Sequence, residues 1–469
     1  LDDVVRRERT TMSSTPHPST PSAGPVEPDI YHDADAPTTS PSEYRRVAMA
    51  TMIGTTIEWY DFFIYANVAA LLFGKLFFSG LGEWRDLAAF ATLGVAFFFR
   101  PAGALTMGWV GDRFGRRVVL VLTLGLMGVA TTLVGLLPTA DQIGIAAPIL
   151  LIVLRCLQGF SAGGEWGGAA MLAVEHAPHG QRGKFGAYPQ IGVPLGMLLA
   201  TTFLTVLTMA LGKEQFDAWG WRIPFLFSVV LIVIGWWIRR RVAESPVFEE
   251  LKEIKDVATV KQGDLLHHNF KDIVIAAASF MANNAFGYML VGGFILGYAS
   301  KNGLPRSEVL MWALVSAALW AVTTMACAML SDRIGRTLTY KIGYVLMLVG
   351  MFPTFWLVHA GVERGEVLLV GLALLWIAIP EGFTYGPQSA MFAEMFPARI
   401  RLSAVSLSYA IGAVFGGAFA PMIAEYITIQ LGGVVNVAWY LSAVTVISLV
   451  SIFFIKDRTN KPLHTMSGH

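Results

Sequence analysis

The segment Gly108-Trp-Val-Gly-Asp112-Arg113-Phe-Gly115-Arg116-Arg117 recurs as Ala328-Met-Leu-Ser-Asp332-Arg333-Ile-Gly335-Arg336. Asp112 and Asp332 are 220 residues apart, and the same offset links Met171 to Met391, Gly192 to Gly412 and Gly196 to Gly416. A fixed offset over four places means that one half of the chain repeats the other. Each copy is a charged turn wedged between apolar runs, so the repeated unit is a membrane unit. Such a duplication predicts a transporter with its site between the two halves.

Composition agrees. The chain is 55% hydrophobic and only 14% charged, against about a quarter charged in soluble domains. Forty-seven glycines suit helices packed in lipid, where small residues let backbones approach. A net charge of +1 gives no sign of a nucleic-acid partner. Cys156 and Cys327 lie in apolar runs and read as buried free thiols, with no metal-binding spacing.

Twelve apolar stretches are long enough to span, near 47–73, 87–109, 118–138, 147–174, 188–211, 223–238, 272–299, 308–330, 340–359, 367–392, 403–427 and 437–455. The fold class is therefore an all-α membrane protein of two six-helix pseudo-repeats, over 45–242 and 272–456. With both termini placed in the cytoplasm, the cytoplasmic segments from Arg45 onward carry 22 Lys and Arg, against seven on the other side. This predicts a multi-pass inner (plasma) membrane protein with both termini inside.

Residues 1–44, rich in Pro, Ser, Thr and Asp, read as a disordered cytoplasmic tail without a cleavable signal peptide. Met12 reads as a native start, with residues 1–11 upstream of it. Residues 243–271 read as a linker. Within it, Ser245-Pro246 has the pattern of a cap and a first helical residue. Val247, Phe248, Leu251 and Ile254 predict a short amphipathic helix. Residues 457–469 form a second tail.

In the repeated turns, Gly115 and Gly335 supply backbone freedom. Asp112 can pair with the arginines or cap a neighbouring helix. Gly108, Asp112, Arg113, Gly115 and Arg116, with Asp332, Arg333, Gly335 and Arg336, are read as a latch that holds one access state. The plainer alternative is a topology signal. The second copy has Ala328 in place of Gly108 and is expected to be the weaker latch.

Buried charge is the sharper signal. Glu58, Asp61, Arg100, Arg155, Glu165 and Glu381 fall well inside spans, where each costs several kcal/mol unless paired or wetted. The plain alternative for any of them is a structural ion pair. Counted at 1.5 Å per residue, Arg100 lies ~18 Å from the Asp112 turn and Glu165 ~15 Å from Glu175. Glu58 and Asp61 come to roughly 16 and 21 Å. These four are expected to share one level, with Arg155 further out. Tyr65 shares a stripe with Glu58, and Gln158 shares one with Arg155 and Glu165. Gly159, Gly163 and Gly167 make a stripe for close helix packing. The second half supplies Asn283, Asn284 and Tyr288, then Glu381, Tyr385 and Gln388, as candidate substrate ligands.

At these residues the chain resembles the metabolite:proton symporter family of the major facilitator superfamily. The resemblance runs through the Asp-Arg-x-Gly-Arg turns, Arg155-x-x-Gln158-Gly159, Glu58-Trp-Tyr-Asp61-Phe62 and Arg100-Pro101-x-Gly103. It continues in Gly163-Gly-Glu165-Trp-Gly-Gly168, Trp219-Gly-Trp-Arg-Ile-Pro-Phe225, Tyr385-Gly-Pro-Gln388 and Glu394-Met-Phe-Pro397, covering residues 45–458. It implies twelve helices, alternating access and proton-driven uptake of shikimate, α-ketoglutarate, citrate, proline or betaine. The long C-terminal extension of the betaine branch is not matched by the short stretch after the twelfth span.

Charge balance then suggests a mechanism. The first half buries three acids (Glu58, Asp61, Glu165) against two bases (Arg100, Arg155). An anionic substrate near Arg100 is tolerated better if an acid takes a proton. Asp61 is the first candidate, then Glu58 and Glu165. The protein is read as a monomeric symporter of a small organic acid or zwitterion, with no cofactor beyond the proton. The rival is a proton-coupled exporter, for which Gly192-Val-Pro194-Leu-Gly196 is a partial match. No nucleophile–base set supports an enzyme. At the 220 offset, Glu58, Asp61 and Glu165 fall on Ala278, Met281 and Tyr385. Proton coupling is therefore expected in the N-terminal half, and much of the substrate discrimination in the other.

Overall fold

A computed structural model of the chain describes residues 41–253, 262–291, 293–461 and 463. Every regular element among them is helical. Eleven helices are long and apolar enough to cross a membrane. The twelfth, the first span Pro41–Val68, carries Glu58 and Asp61 in its apolar stretch. Residues 41–44, expected in the tail, begin this helix. The expected disorder of the preceding residues lies outside the described residues.

The other spans are Arg85–Phe114, Arg116–Leu136, Ala146–Glu175, Arg182–Gln215 and Arg222–Arg239 in the N-terminal half. In the C-terminal half they are Gln262–Val291 with Phe294–Lys301, Arg306–Ile334, Arg336–Arg364, Val367–Tyr385 with Gln388–Met395, Arg401–Ala413 with Ala420–Gln430, and Val437–Phe453. The tenth span breaks at Gly386-Pro387, where proline cannot donate to the helical ladder. The linker helix is Pro246–Glu253, and Ser245 Oγ accepts from Phe248 N at 3.2 Å as its cap. Val247 and Phe248 are buried, whereas the side chains of Leu251 and Ile254 lie outside the described residues.

The two halves repeat in packing. Spans 2 and 4, 1 and 5, and 3 and 6 pack in the first half, and their counterparts 8 and 10, 7 and 11, and 9 and 12 pack in the second. Across the halves, span 2 meets span 11 and span 8 meets span 5. Glycine permits the closest approaches. A Cβ on Gly103 would strike the Phe160 carbonyl, and one on Gly163 the Arg100 carbonyl. Spans 2 and 4 therefore touch backbone to backbone at Arg100. The stripe on span 4 serves two partners, because Gly167 faces Ser406 of the other half.

The repeat offset is not constant. Gly192 lies against the Met52 carbonyl, and Gly412 against the Ala277 carbonyl. Gly196 lies against the Thr56 carbonyl, and Gly416 against that of Met281. Spans 1 and 7 are thus related by 225 residues while spans 5 and 11 keep 220. The structural counterpart of Glu58 is Asn283, not Ala278, and that of Asp61 is Phe286, not Met281. Loops of unequal length in the two halves absorb the difference.

Candidate functional site

Both repeated turns lie on one face. Tyr44 packs on Phe185 there, and Lys461 and Leu463 are bonded there, so both ends of the described chain share it. The turns are tighter than loops: the second span runs to Phe114 and the third starts at Arg116, leaving Gly115 alone at φ 107°. Asp112 therefore belongs to the last helical turn and points across to the other half. Its carboxylate accepts from Leu402 N at 3.2 Å, Ser403 N at 3.0 Å and Ser403 Oγ at 2.5 Å, capping the eleventh span. Asp332 mirrors this, accepting from Gly183 N at 2.8 Å and Lys184 N at 3.0 Å at the start of the fifth span.

The Gly-to-Ala change at position 328 does not hold the second cap apart. In the first, Gly108 admits Ser403, whose Cα would lie 2.6 Å from an added Cβ. In the second, Ala328 faces Gly183, and the small residue has moved to the partner helix. Arg113 and Arg333 are exposed and take no part in these caps; Arg113 lies over the Trp109 and Phe114 rings.

Behind the caps stands a buried ionic lattice that sequence reasoning missed. Arg116 Nε meets Glu175 Oε2 at 3.1 Å, and Arg401 Nη1 reaches Glu175 Oε1 at 3.1 Å from the opposite half. Arg336 Nε meets Glu394 Oε2 at 3.2 Å, and Arg182 lies 3.7 Å from Glu394, again across the halves. An offset of 219 relates Glu175 to Glu394 and Arg182 to Arg401, so the repeat itself carried the signal.

Two acids after the sixth and twelfth spans complete it. Glu244 accepts from Arg116 N at 2.9 Å, and Asp457 accepts from Thr337 N at 2.9 Å. Burial pushes the Glu244 carboxyl above its usual range, against its backbone amide donors and Arg116. Asp457 goes the other way: burial opposes it, but bonds from Thr459 and Thr337 hold it low. The segment after Asp457 also gives the Lys461 carbonyl to Arg182 and the Leu463 carbonyl to Arg401, at 2.5 and 2.7 Å.

Deeper in, the expected level of four charges separates into distinct groups. Asp61 Oδ1 accepts from Ser228 Oγ at 2.6 Å and Oδ2 from Thr131 Oγ1 at 3.1 Å. Thr131 accepts in turn from Gln158 Nε2 at 2.8 Å, and Gln158 Oε1 accepts from Arg155 Nη1 at 2.8 Å. Arg155 lies 3.8 Å from the centre of the Tyr65 ring, and Tyr65 shares a hydrogen bond of 2.7 Å with Thr92. Asp61 therefore belongs with Arg155 through two relaying side chains. Counting rise per residue ignored the reach of arginine and glutamine side chains.

Glu165 is taken up elsewhere. It pairs with Arg239 and accepts from Thr123, and Arg239 also donates to the Leu120 carbonyl. Arg239 stands just past the sixth apolar stretch, 223–238, yet it is only 2% exposed and lies against Gly54, which has no side chain to obstruct it. Deep within the spans of this half, apart from the Glu175 lattice, three acids thus stand against three bases, not two.

Glu58 and Arg100 remain between these groups. Glu58 Oε2 and Arg100 Nε are buried without hydrogen-bond partners, and Arg100 lies 4.4 Å from the centre of the Phe97 ring. A cavity lies beside them, with room for a water and not for a metabolite. Its walls include Trp59, Asn283, Asn284, Tyr288, Trp320, Glu381, Tyr385 and Tyr409. Four of the six second-half candidates converge on it with unpartnered atoms or aromatic faces: Asn284, Tyr288, Glu381 and Tyr385. Asn283 is committed to Glu381 at 2.6 Å and Thr384 at 2.8 Å. Gln388 instead accepts from Gln190 Nε2 at 3.1 Å. Gln190 also accepts from Trp166 and donates to the Tyr385 carbonyl, so it ties the halves together inside the membrane.

Helices duplicated in two bundles, joined by buried ion pairs at one face and enclosing a cavity with polar groups in its wall, have the architecture of a membrane transporter. The Major Facilitator Superfamily pattern matches residues 51–390, and the chain belongs to that superfamily. The chain is 38% identical to the shikimate transporter of Escherichia coli (strain K12) over 429 residues, covering 90% of this chain and 97% of that one. It is 31% identical to a glycine betaine/proline/ectoine/pipecolic acid transporter of Dickeya dadantii (strain 3937), covering 89% and 84%. Among solved structures, the proton:xylose symporter XylE superposes with a TM-score of 0.72 at 18% identity, covering 90% of this chain and 98% of the other. These relatives are transporters, and the chain belongs to their superfamily rather than to an enzyme family.

Proposed function

We infer that the protein is a proton-coupled symporter that imports a small organic acid or zwitterion by alternating access. The observation that carries the reading is Asp61, a buried carboxylate connected by hydrogen bonds through Thr131 and Gln158 to Arg155. With Arg239 answering Glu165, the three acids and three bases deep within the first half, apart from the Glu175 lattice, cancel when every group is ionised. A monoanion arriving at Arg100 upsets that balance by one, and one proton on Asp61 or Glu58 restores it. Proton and substrate then bind together and cross together.

The Thr131 hydroxyl fits such an exchange. It has one proton and two acceptors within reach, Asp61 at 3.1 Å and the Met127 carbonyl at 2.9 Å. An ionised Asp61 takes that proton as a hydrogen bond. A protonated Asp61 donates to Thr131 instead, and the hydroxyl turns to Met127.

The names of the relatives favour small metabolites, and the 22-to-seven excess of Lys and Arg supports placing the latched face in the cytoplasm. No cofactor beyond the proton enters the scheme, and one chain contains both halves of the site. The test is uptake into proteoliposomes under an imposed pH gradient, with a panel of carboxylates, betaine and amino acids. Accumulation of a carboxylate or zwitterion, driven by an alkaline interior, is expected. Uptake of cations alone, or indifference to the gradient, refutes the reading.

A further inference from the structure

Glu381 stands apart from the other acids buried within the spans: Glu58 also leaves an oxygen without a hydrogen-bond partner, but it lies within the electrostatic reach of Arg100 and Arg239. Glu165, Glu175 and Glu394 each meet an arginine, and Asp61 accepts from two hydroxyls. Glu381 is 1% exposed, takes one bond from Asn283 Nδ2 at 2.6 Å and leaves Oε1 without a partner. Oε1 would lie 3.3 Å from a Cβ on Gly287, so no side chain of its own packs there to cover it.

The groups around it are neutral. Span 7 offers Asn283 and Tyr288, span 9 Tyr340 and Tyr344, and its own helix Thr384 and Tyr385. Trp320 of span 8, Tyr409 of span 11 and Trp59 of span 1 close the cavity. Among the described residues no Lys, Arg or His makes an ion pair with it. A full negative charge here would face apolar rings and one amide, at a cost of several kcal/mol. A carboxylic acid has no such cost, and its hydroxyl is a donor for the cavity.

We propose that Glu381 is a proton-binding group of the C-terminal half: it enters the closed state as the carboxylic acid, donates its O–H to an oxygen of the bound substrate, and releases the proton to water when the cavity opens. The inference rests on the symport reading and adds to it a second carrier, on the half where the sequence placed much of the substrate discrimination. The balance is simple. The proton comes from water on one side, the group cycles between COOH and COO⁻, and the proton leaves to water on the other side. Asn283, the counterpart of Glu58 in the repeat, holds the second oxygen in both forms.

Infrared difference spectroscopy on the purified full chain, at neutral pH and without substrate, tests the protonation directly. Glu381→Gln is expected to lose one carboxylic-acid C=O band, and Glu381→Asp to shift it. Reversal-potential measurements on the identified substrate should then show one proton fewer per substrate in Glu381→Gln. An unchanged infrared band, or a lost band with an unchanged proton ratio, overturns the proposal. Wild-type uptake that ignores the pH gradient defeats the symport reading instead, and leaves the infrared result standing on its own.

Discussion

Arg401 Nη1 lies 3.1 Å from Glu175 Oε1, and this fully buried contact joins the C-terminal half to the N-terminal half. Arg116 holds the same carboxylate at 3.1 Å, and Ser245 donates to it as well. One glutamate thereby gathers the first turn, the linker and the eleventh span. The two halves cannot part at this face without breaking the Arg401 contact and both aspartate caps.

Arg401→Ala should shift the protein toward the state open at this face. Removing one partner of a buried pair costs ~3–5 kcal/mol, although Arg116 remains to satisfy Glu175. Pulsed electron resonance between spin labels at Val118 and Leu338, one in each half, is the measurement. A longer mean distance is expected, and an unchanged one means the pair does not hold the gate.

The segment after Asp457 should act in the same sense. Ending the chain at Thr459 removes the Lys461 and Leu463 carbonyls that Arg182 and Arg401 use. The same label pair should report partial opening, smaller than in Arg401→Ala because both arginines keep their glutamates. Equal distances in the shortened and full chains would show the segment to be a bystander.

Arg239→Gln should destabilise the first half by about 3–5 kcal/mol, since it strands Glu165 in the membrane. Glu165→Gln in the same chain should recover much of that loss. Thermal unfolding in detergent measures both. Failure of the double variant to exceed the single one would mean the pair is not coupled.

Asp61→Asn should abolish accumulation under a pH gradient but retain exchange of substrate across the membrane. Asn keeps an acceptor for Ser228 or Thr131, so folding should survive. Counterflow and gradient-driven uptake separate the two effects. A variant that still concentrates substrate removes Asp61 as the carrier.

Arg100→Lys should weaken substrate binding at least several-fold, because an ammonium cannot make the bidentate contact of a guanidinium with a carboxylate. Gly103→Val should have a related effect by another route. Its side chain would strike the Phe160 carbonyl, push spans 2 and 4 apart and displace Arg100. Substrate-induced thermal shifts compare the two, and normal affinity in Arg100→Lys removes that residue from the site.

Twelve spans, their duplication, the aspartate turns and the glycine stripe of span 4 could all be read from the chain. Each is written in a local period or a fixed offset, and lipid enforces both, since every backbone group must be satisfied within its own helix. Partners of buried charges are not local. Arg239 looked like one of three terminal arginines until the sixth span turned it inward toward Glu165. That Asp112 caps a helix was legible, but not that the helix it caps is the eleventh span, 290 residues on. The isolation of Glu381 could not be read at all, because the absence of a cation is a property of five packed helices. Sequence by itself determined how many times the chain crosses and where its charges lie along each helix. Tertiary packing decided which charges meet, because helix rotation, tilt and side-chain reach act at distances of a few ångström that sequence spacing does not encode.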